Sequence, residues 1–551
     1  MKTLFRAAVV LVSLAIAGPP GFAAREPQQP PASGTQPRSI VPAPARRTGE
    51  GRGPFKTFVI RNAILIDGAG APPVGPVDIV VSGNRIDAVR SAGTPGITPR
   101  ANRAPQNADH EIDATGMYVM PGFVDNHVHA GGPPKNADAE YAYKLWMAHG
   151  VTTVTGVPLA EHAFTVSEKA RSARNEIVAP RIVNYQRPGA GWDRGAIETP
   201  EQAREWVRWG KANGIDGLKL GAQRPEIMAA LLDEANKNQM GSTAHLQQTG
   251  VAQMNALKAA KLGLRTVTHF YGHFEALLRD TVVQPWPVDQ INDDEQMRFG
   301  QVARLWDKIH PPGSPEWIAY LQEHLKLGTV FDPTMTAYAA GRDVMKMRNA
   351  DWHDKYTLPS LIDFYTPNRT LHGAYFYDWT LEDEIAWRNF YQVWFRLLND
   401  YKRMGGRVTA SSDAGYIYNT YGFGLVHELE LLQEAGFHPL EVIQAATYNP
   451  ALTLAEAHHK PMEIGVVRAG LLADMVIVDQ NPLRNLKVLY GTGAVKLNDQ
   501  TGRVERIGGV KYTVKDGIVY DAKQLLADVA AMVERQKRDR RSSTTSSSQG
   551  R

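Results

Sequence analysis

Through the middle of the chain, short apolar runs alternate with helical patterns, the order a parallel barrel requires. The runs lie near residues 119–129, 151–157, 180–186, 215–220, 241–246, 265–270, 328–333 and 407–413. After the eighth, Leu425, Leu429 and Leu432 fall on one helical stripe, and Gly436 closes it. The pattern predicts an α/β fold, a (β/α)8 TIM-like barrel spanning residues 116–463. The flanks have a different texture. Phe58–Ile66, Asp78–Val81 and Ile86–Val89 are short strands, the last two joined by Ser82-Gly83-Asn84-Arg85. The far end repeats them in Asp474–Val478, Val510–Val514 and Ile518–Tyr520, with a hairpin turn at Asp516-Gly517. Such strands suggest a small β-sandwich.

Two connections are too long for bare βα units, residues 271–327 and 334–406. Seven of the eleven tryptophans fall between Trp286 and Trp394, so these insertions are more than linkers. Loops leaving the C-terminal ends of barrel strands overhang the mouth. The insertions are therefore expected as a helical lid, whose aromatics either shape a pocket or pack the added helices together.

Composition adds limits. At 551 residues and 43% hydrophobic, the chain suits a large barrel with an accessory domain. A net charge of +4, with no basic face interleaved with aromatics, gives no case for nucleic-acid binding. Residues 1–24 show a positive start, an apolar stretch from Ala7 to Gly18 and small residues through Ala24, the pattern of a secretory signal peptide. The stretch is short for a membrane span, so no stable membrane insertion is expected after cleavage. With no cysteine there is neither a disulfide nor a lipid-attachment site, and a periplasmic or secreted protein is expected. Residues 25–54, rich in Pro, Gln, Arg and Gly, read as a disordered linker. Residues 526–551 read as a helix with a basic, Ser-rich tail, its Arg535–Arg541 run solvated.

Against this frame, a few polar residues stand out. His127 and His129 end the first apolar run, and strand alternation would turn both imidazoles to one side. Lys219, His245, His269 and Asp413 each close a later predicted strand. Taken singly, each has a plain structural role: a hydrogen-bonded packing histidine, a lysine paired with a carboxylate, an aspartate capping the next helix after Ser411-Ser412. Six such groups, in order and at strand ends, share no such role. Nitrogen and oxygen donors in this number suit a divalent transition metal, and zinc fits them.

These residues resemble the amidohydrolase superfamily of metal-dependent hydrolases, over most of residues 56–525. The likeness is to members with a carboxylated lysine, which include Xaa-Pro dipeptidases. Gly424–Leu432, Ala445-Ala446-Thr447 and Gly470–Asp479 also match its later segments. The resemblance implies a composite β-sandwich from residues 55–115 and 464–525 with the barrel inserted between. It implies two divalent metal ions, with His127, His129 and Asp413 on one, His245 and His269 on the other, and Lys219 bridging as a carbamate formed with carbon dioxide. A water held by the pair would fall from a pKa of about 15.7 to near 7, and Asp413 would carry its proton to the leaving amine. The implied reaction is hydrolysis of an amide or peptide bond in a small molecule, a dipeptide or N-acyl amino acid. Tyr271 and His273 are the nearest candidates for binding substrate, and His427 for supporting the site from behind. His273 also competes with His269 as a ligand; the strand end favours His269. Rival readings are a one-metal cyclic-amide hydrolase or deaminase similar to imidazolonepropionase, a lactonase or phosphotriesterase-like activity, and a non-catalytic periplasmic binding barrel. A homo-oligomer stays open.

Overall fold

In the computed structural model, residues 40–155, 161–369 and 371–548 are described. The signal peptide expected at 1–24 and the first part of the linker lie outside them. β1 (Thr57–Leu65), β2 (Val74–Ser82), β3 (Arg85–Ser91), β4 (His110–Asp113) and β5 (Tyr118–Pro121) come from the N-terminal flank. The parallel strands follow: β6 (Phe123–Asp125), β7 (Val151–Val154), β8 (Arg181–Ile182), β9 (Tyr185–Gln186) and β10 (Gly217–Leu220). They continue with β11 (Gly241–Ala244), β12 (Thr266–Thr268), β13 (Val330–Asp332) and β14 (Arg407–Val408). The C-terminal flank gives β15 (Met475–Val478), β16 (Ala494–Asn498), β17 (Arg503–Ile507), β18 (Val510–Lys515) and β19 (Ile518–Asp521).

Both flanks do join, in one hydrogen-bonded sheet whose two ends approach each other, the Asp516-Gly517 turn lying against Gly83-Asn84. They form one eight-stranded sheet in the order β19-β18-β15-β5-β1-β2-β3, with β4 also on β1. The antiparallel ladder from β5 to β15 makes it continuous. Alternate residues of one face, among them Phe58, Ile60, Ile79, Val81, Met475, Ile477 and Val514, gather in one hydrophobic cluster. The turn Asp516-Gly517 is the two-residue hairpin expected, with φ of 50° and 74° and Lys515 opposite Ile518.

The parallel strands occupy all eight expected positions in order, as two hydrogen-bonded arrays, β6-β7-β8 and β9 through β14. The run at 119–129 divides at Gly122: β5 belongs to the mixed sheet and β6 to the parallel array. A Cβ at 122 would lie 2.2 Å from Thr152 Oγ1, so the crossing needs glycine. The third run divides at Asn184, whose N–H donates to Asp216 Oδ2 at 2.7 Å instead of to a ladder. At the other end, the Asp413 N–H donates to the His127 carbonyl at 2.9 Å and joins the end of the eighth position to that of the first.

The insertions are helical, as expected, and their largest aromatics serve packing. The helix Leu381–Arg403 starts at Thr380, whose hydroxyl accepts from the Asp383 N–H, and buries Trp387, Phe390 and Trp394 against Phe270. Among the described residues, no helix is long and apolar enough to cross a membrane.

One reading of the chain's edges needs correction. Residues 40–54 are not a disordered linker: Ile40 and Ala43 are buried, and Val41 bridges to Asp138. Two apolar side chains in a Pro-rich stretch suffice to seat it, and Glu50 locks it. The basic run lies on the expected helix, Ala522–Ser548, with Arg535, Arg538 and Arg541 exposed as a solvated face, while Lys537 pairs with Asp354 at 2.9 Å and Arg540 with Asp363 at 2.7 Å.

Lys144, 1% exposed, ties three segments together by pairing with Glu50 and Glu140 at 2.8 Å and Asp528 at 2.7 Å. Burial raises the Glu50 carboxyl, but hydrogen bonds from Arg47 and Lys144 outweigh it and hold it at about 2. The group's pKa is depressed on folding, so its stabilisation is full above about 4.5 and is lost as pH falls toward 2. We expect Lys144→Met to cost about 3 kcal/mol in urea unfolding at pH 7, because three carboxylates lose their cation. Its stability should also fall less than the wild type's between pH 5 and pH 2.

Candidate active site

Every candidate ligand sits at or just past the C-terminal end of a parallel strand. Lys219 lies within β10, while His245 and His269 directly follow β11 and β12. Asp413 lies beyond β14. His127 and His129 are not strand residues, contrary to the alternation argument, because the ladder between β6 and β7 ends at Asp125. There the Asp125 carboxylate accepts from the Ser412 N–H at 2.9 Å and the Ser412 hydroxyl at 2.5 Å, and the chain turns inward. His269, Thr334 and Asp413 have φ of 67°, 48° and 45°, a left-handed conformation that costs non-glycine residues energy. Three such residues at one site indicate that the geometry is imposed by the surroundings.

Asp413 is the centre of the cluster. Its Oδ1 lies 3.0 Å from His129 Nε2 and 3.5 Å from His127 Nε2, and its Oδ2 lies 3.8 Å from His269 Nε2. Lys219 Nζ is 3.0 Å from His127 Nε2. The His245 ring centroid is 4.5 Å from that of His269, and His127 is 4.9 Å from His269. The structure therefore brings all six sequence candidates together. Among the described residues, His127, His269 and Asp413 each offer one donor atom within 4.8 Å of the others.

The donor set fits a cation. His269 Nε2 is buried with no hydrogen-bond partner, as is Oδ2 of nearby Asp332, and Asp413 Oδ1 makes no well-aligned hydrogen bond although His129 Nε2 lies 3.0 Å away. Thr334 Oγ1 gives its proton to the Pro333 carbonyl and accepts from His269 Nδ1, leaving the Nε2 lone pair aimed at the cluster. Burial, and secondarily neighbouring cations, hold His127, His245 and His269 well below the usual histidine range. Burial brings His129 to about 4 against the opposing pull of Asp413. Burial also brings the Lys219 amine to about 7. Neutral imidazoles and a neutral amine are the forms that metal ligation and carbamate formation need.

A cavity of about 690 Å³ opens onto the cluster. Tyr271 lines it and stacks on His245 at 4.5 Å. His273 does not line it. Beyond the turn at Gly272 the chain enters a short helix, and His273 Nδ1 bonds the Tyr320 hydroxyl at 2.7 Å beside Phe331, so its role as a substrate contact is corrected to packing. His427 is also away from the cavity, bonded through Nδ1 to Thr336 Oγ1 at 2.9 Å; its neighbour Glu428 accepts from the Thr336 N–H at 2.7 Å and braces the segment after β13. Sequence reasoning missed Asp332. It ends β13, accepts from the hydroxyls of Thr409 and Ser411, and has Oδ2 3.9 Å from His127 Nδ1. A lone carboxylate closing the apolar run Val330-Phe331 was the available signal. Arg187 and Tyr416, also on the cavity wall, were missed too.

No family model matches the chain. A dihydroorotase of Elusimicrobium minutum is 27% identical over 223 residues, which are 38% of this chain and 48% of that protein. The chain thus spans about half the length of the curated relative it matches. A Xaa-Pro dipeptidase with methionine bound in its active site superposes with a TM-score of 0.55 at 18% identity, over 84% of this chain and all of that one. The chain shares the fold of that structure. Bottromycin amidohydrolase gives a TM-score of 0.56 at 19% identity, over 87% of this chain and 91% of that one. In this shared fold the cluster around Asp413 lies at the strand ends, where ligand chemistry in parallel α/β folds is placed.

Thr334 touches no other member of the cluster, so it isolates the effect of orienting one imidazole. Thr334→Val should weaken zinc affinity roughly 10–100-fold in a chelator-competition titration, with little change in melting temperature of the metal-free protein.

Proposed function

We propose that this chain is an exported metal-dependent amidohydrolase that cleaves an amide or peptide bond in a small substrate, a dipeptide or an N-acyl amino acid. The observation that carries the reading is the single carboxylate of Asp413, with His127 and His129 facing one oxygen and His269 the other. We read the two parallel arrays as one (β/α)8 barrel closed by the Asp413–His127 backbone bond, and the site as binuclear. His127, His129 and Asp413 would hold one divalent cation and His245 and His269 the other; zinc suits these donors. Lys219, buried and neutral near physiological pH, would bridge them once carbon dioxide adds to its amine. Export rests on residues 1–24 alone.

Two bound cations would supply Lewis acidity, lowering the pKa of a water toward 7 and polarising the scissile carbonyl. The rest of the chemistry belongs to side chains. The Asp413 carboxylate, at the centre of the cluster, accepts the proton of the attacking water and returns it to the leaving nitrogen. Tyr271 Oη accepts from Tyr338 Oη at 3.0 Å, so its own proton is free for the carbonyl oxygen. Burial raises the Tyr271 hydroxyl well above its ordinary value, so it keeps that proton across the working pH range. Phe299 and Tyr338, from the insertions, wall the cavity and exclude water.

The three-donor group of His127, His269 and Asp413 favours one rival, a one-metal hydrolase or deaminase. Metal content separates the two. We expect two equivalents per chain, and hydrolysis of members of a dipeptide and N-acyl amino acid panel that chelator abolishes and zinc restores. Lys219→Ala should lower kcat/KM by at least about a thousandfold, since it removes the bridge and with it the activated water. One equivalent with unchanged activity in that variant would favour the rival.

A further inference from the structure

Besides the aromatic insertions, the cavity is lined by residues that follow β9, β10 and β11: Arg187, Gly221, Gln223, Gln247 and Gln248. The ladder of β9 with β10 ends at Gln186–Leu218, so Arg187 stands beside Lys219 one step further along. Side chains in register on parallel strands point to the same side. The guanidinium of Arg187 therefore faces the same cavity as the Lys219 amine.

The Arg187 guanidinium has no ion pair and no hydrogen bond among the described residues, whereas the other arginine of the cavity, Arg298, is held by the Asn292 carbonyl and by Glu295. Lys219, His245 and Lys135 lie close enough for the Arg187 charge to disfavour their protonated forms, which sets the guanidinium beside the cluster. Gln248 lines the same cavity, only 4% exposed, and its side-chain nitrogen has no acceptor. A free guanidinium fork and a buried amide donor without an acceptor, lining one cavity, are both answered by one ligand group, an anion with two in-plane oxygens.

We propose that Arg187 and Gln248 form the subsite for a free carboxylate on the substrate, so the enzyme acts on amides of amino acids with an unblocked carboxylate and not on amides that lack one. The inference rests on the hydrolase reading for its substrate class, but the subsite itself is testable without turnover. Phe299 and Tyr338, which line the same cavity, would take an apolar group of the same substrate.

The test is isothermal titration of the metal-loaded full chain with 3-phenylpropionate and its neutral isostere 3-phenylpropanamide. The acid should bind at least about tenfold more tightly than the amide, the worth of one charge-assisted hydrogen-bond pair. Arg187→Gln should remove that difference while leaving melting temperature and metal content unchanged; Arg187→Lys should keep part of it, because the charge remains and the fork is lost. Three results would overturn the proposal: equal affinities in the wild type, no saturable binding of the acid, or a preference for the acid that survives Arg187→Gln, which would place the carboxylate on the metals. Kinetics then separate the two claims. Equal kcat/KM for a dipeptide and its C-terminal amide would sink the subsite and leave the hydrolase standing. Arg187-dependent binding of the acid with no metal-dependent turnover of any amide would do the reverse.

Discussion

Six polar side chains converge at one place, four of them buried, and the cost of burying them organises the site. An imidazole or carboxylate buried without a partner forfeits several hydrogen bonds to water. The fold satisfies some of these groups internally: Asp125 through Ser412, Asp332 through Thr409 and Ser411, His269 Nδ1 through Thr334. It leaves others, His269 Nε2 and Asp332 Oδ2, buried without a partner, and gathers His127, His129 and His269 around the one carboxylate of Asp413. Selective satisfaction of this kind orients lone pairs toward a common point, which is what a cation needs and a packed core does not.

Backbone geometry serves the same end. Parallel strands deliver Lys219, His245 and His269 at neighbouring ends, and left-handed turns at His269 and Asp413 swing the last two inward. The strained conformations are held by the bond from Asp413 N–H to the His127 carbonyl and by the Ser412–Asp125 pair, so the first and eighth strand positions brace each other. The rigidity of the array thus offsets the strain at the ligands. The large aromatics of the insertions, Trp387 and Trp394 among them, add mass behind that array and leave Tyr271, Phe299 and Tyr338 to face the cavity.

Much of this was legible in the chain. The eight apolar runs fell where parallel strands occur, Asp516-Gly517 made its hairpin, and the six ligand candidates converged. Local pattern reaches that far because strand ends and turn residues are decided by nearby sequence. What it missed depends on distant partners. His273 follows His269 by four residues, yet the turn at Gly272 carries it to Tyr320, which no spacing rule reveals. Residues 40–54 lack an apolar period but are seated by Ile40, Ala43 and the Glu50–Lys144 pair. How the two flanks join is also set at a distance: β5 continues the first parallel strand across Gly122 and pairs directly with β15. Arg187 and Asp332 stood in plain view as charged residues at strand ends, but their surroundings give them meaning.

Anomalous diffraction at the zinc edge, from crystals of the zinc-loaded full chain, tests the convergence most directly. The expected map holds two peaks a few ångströms apart, one bounded by His127, His129 and Asp413 and one by His245 and His269, with Lys219 between them. A map with no peak at these side chains, or with peaks only elsewhere on the molecule, would contradict the account.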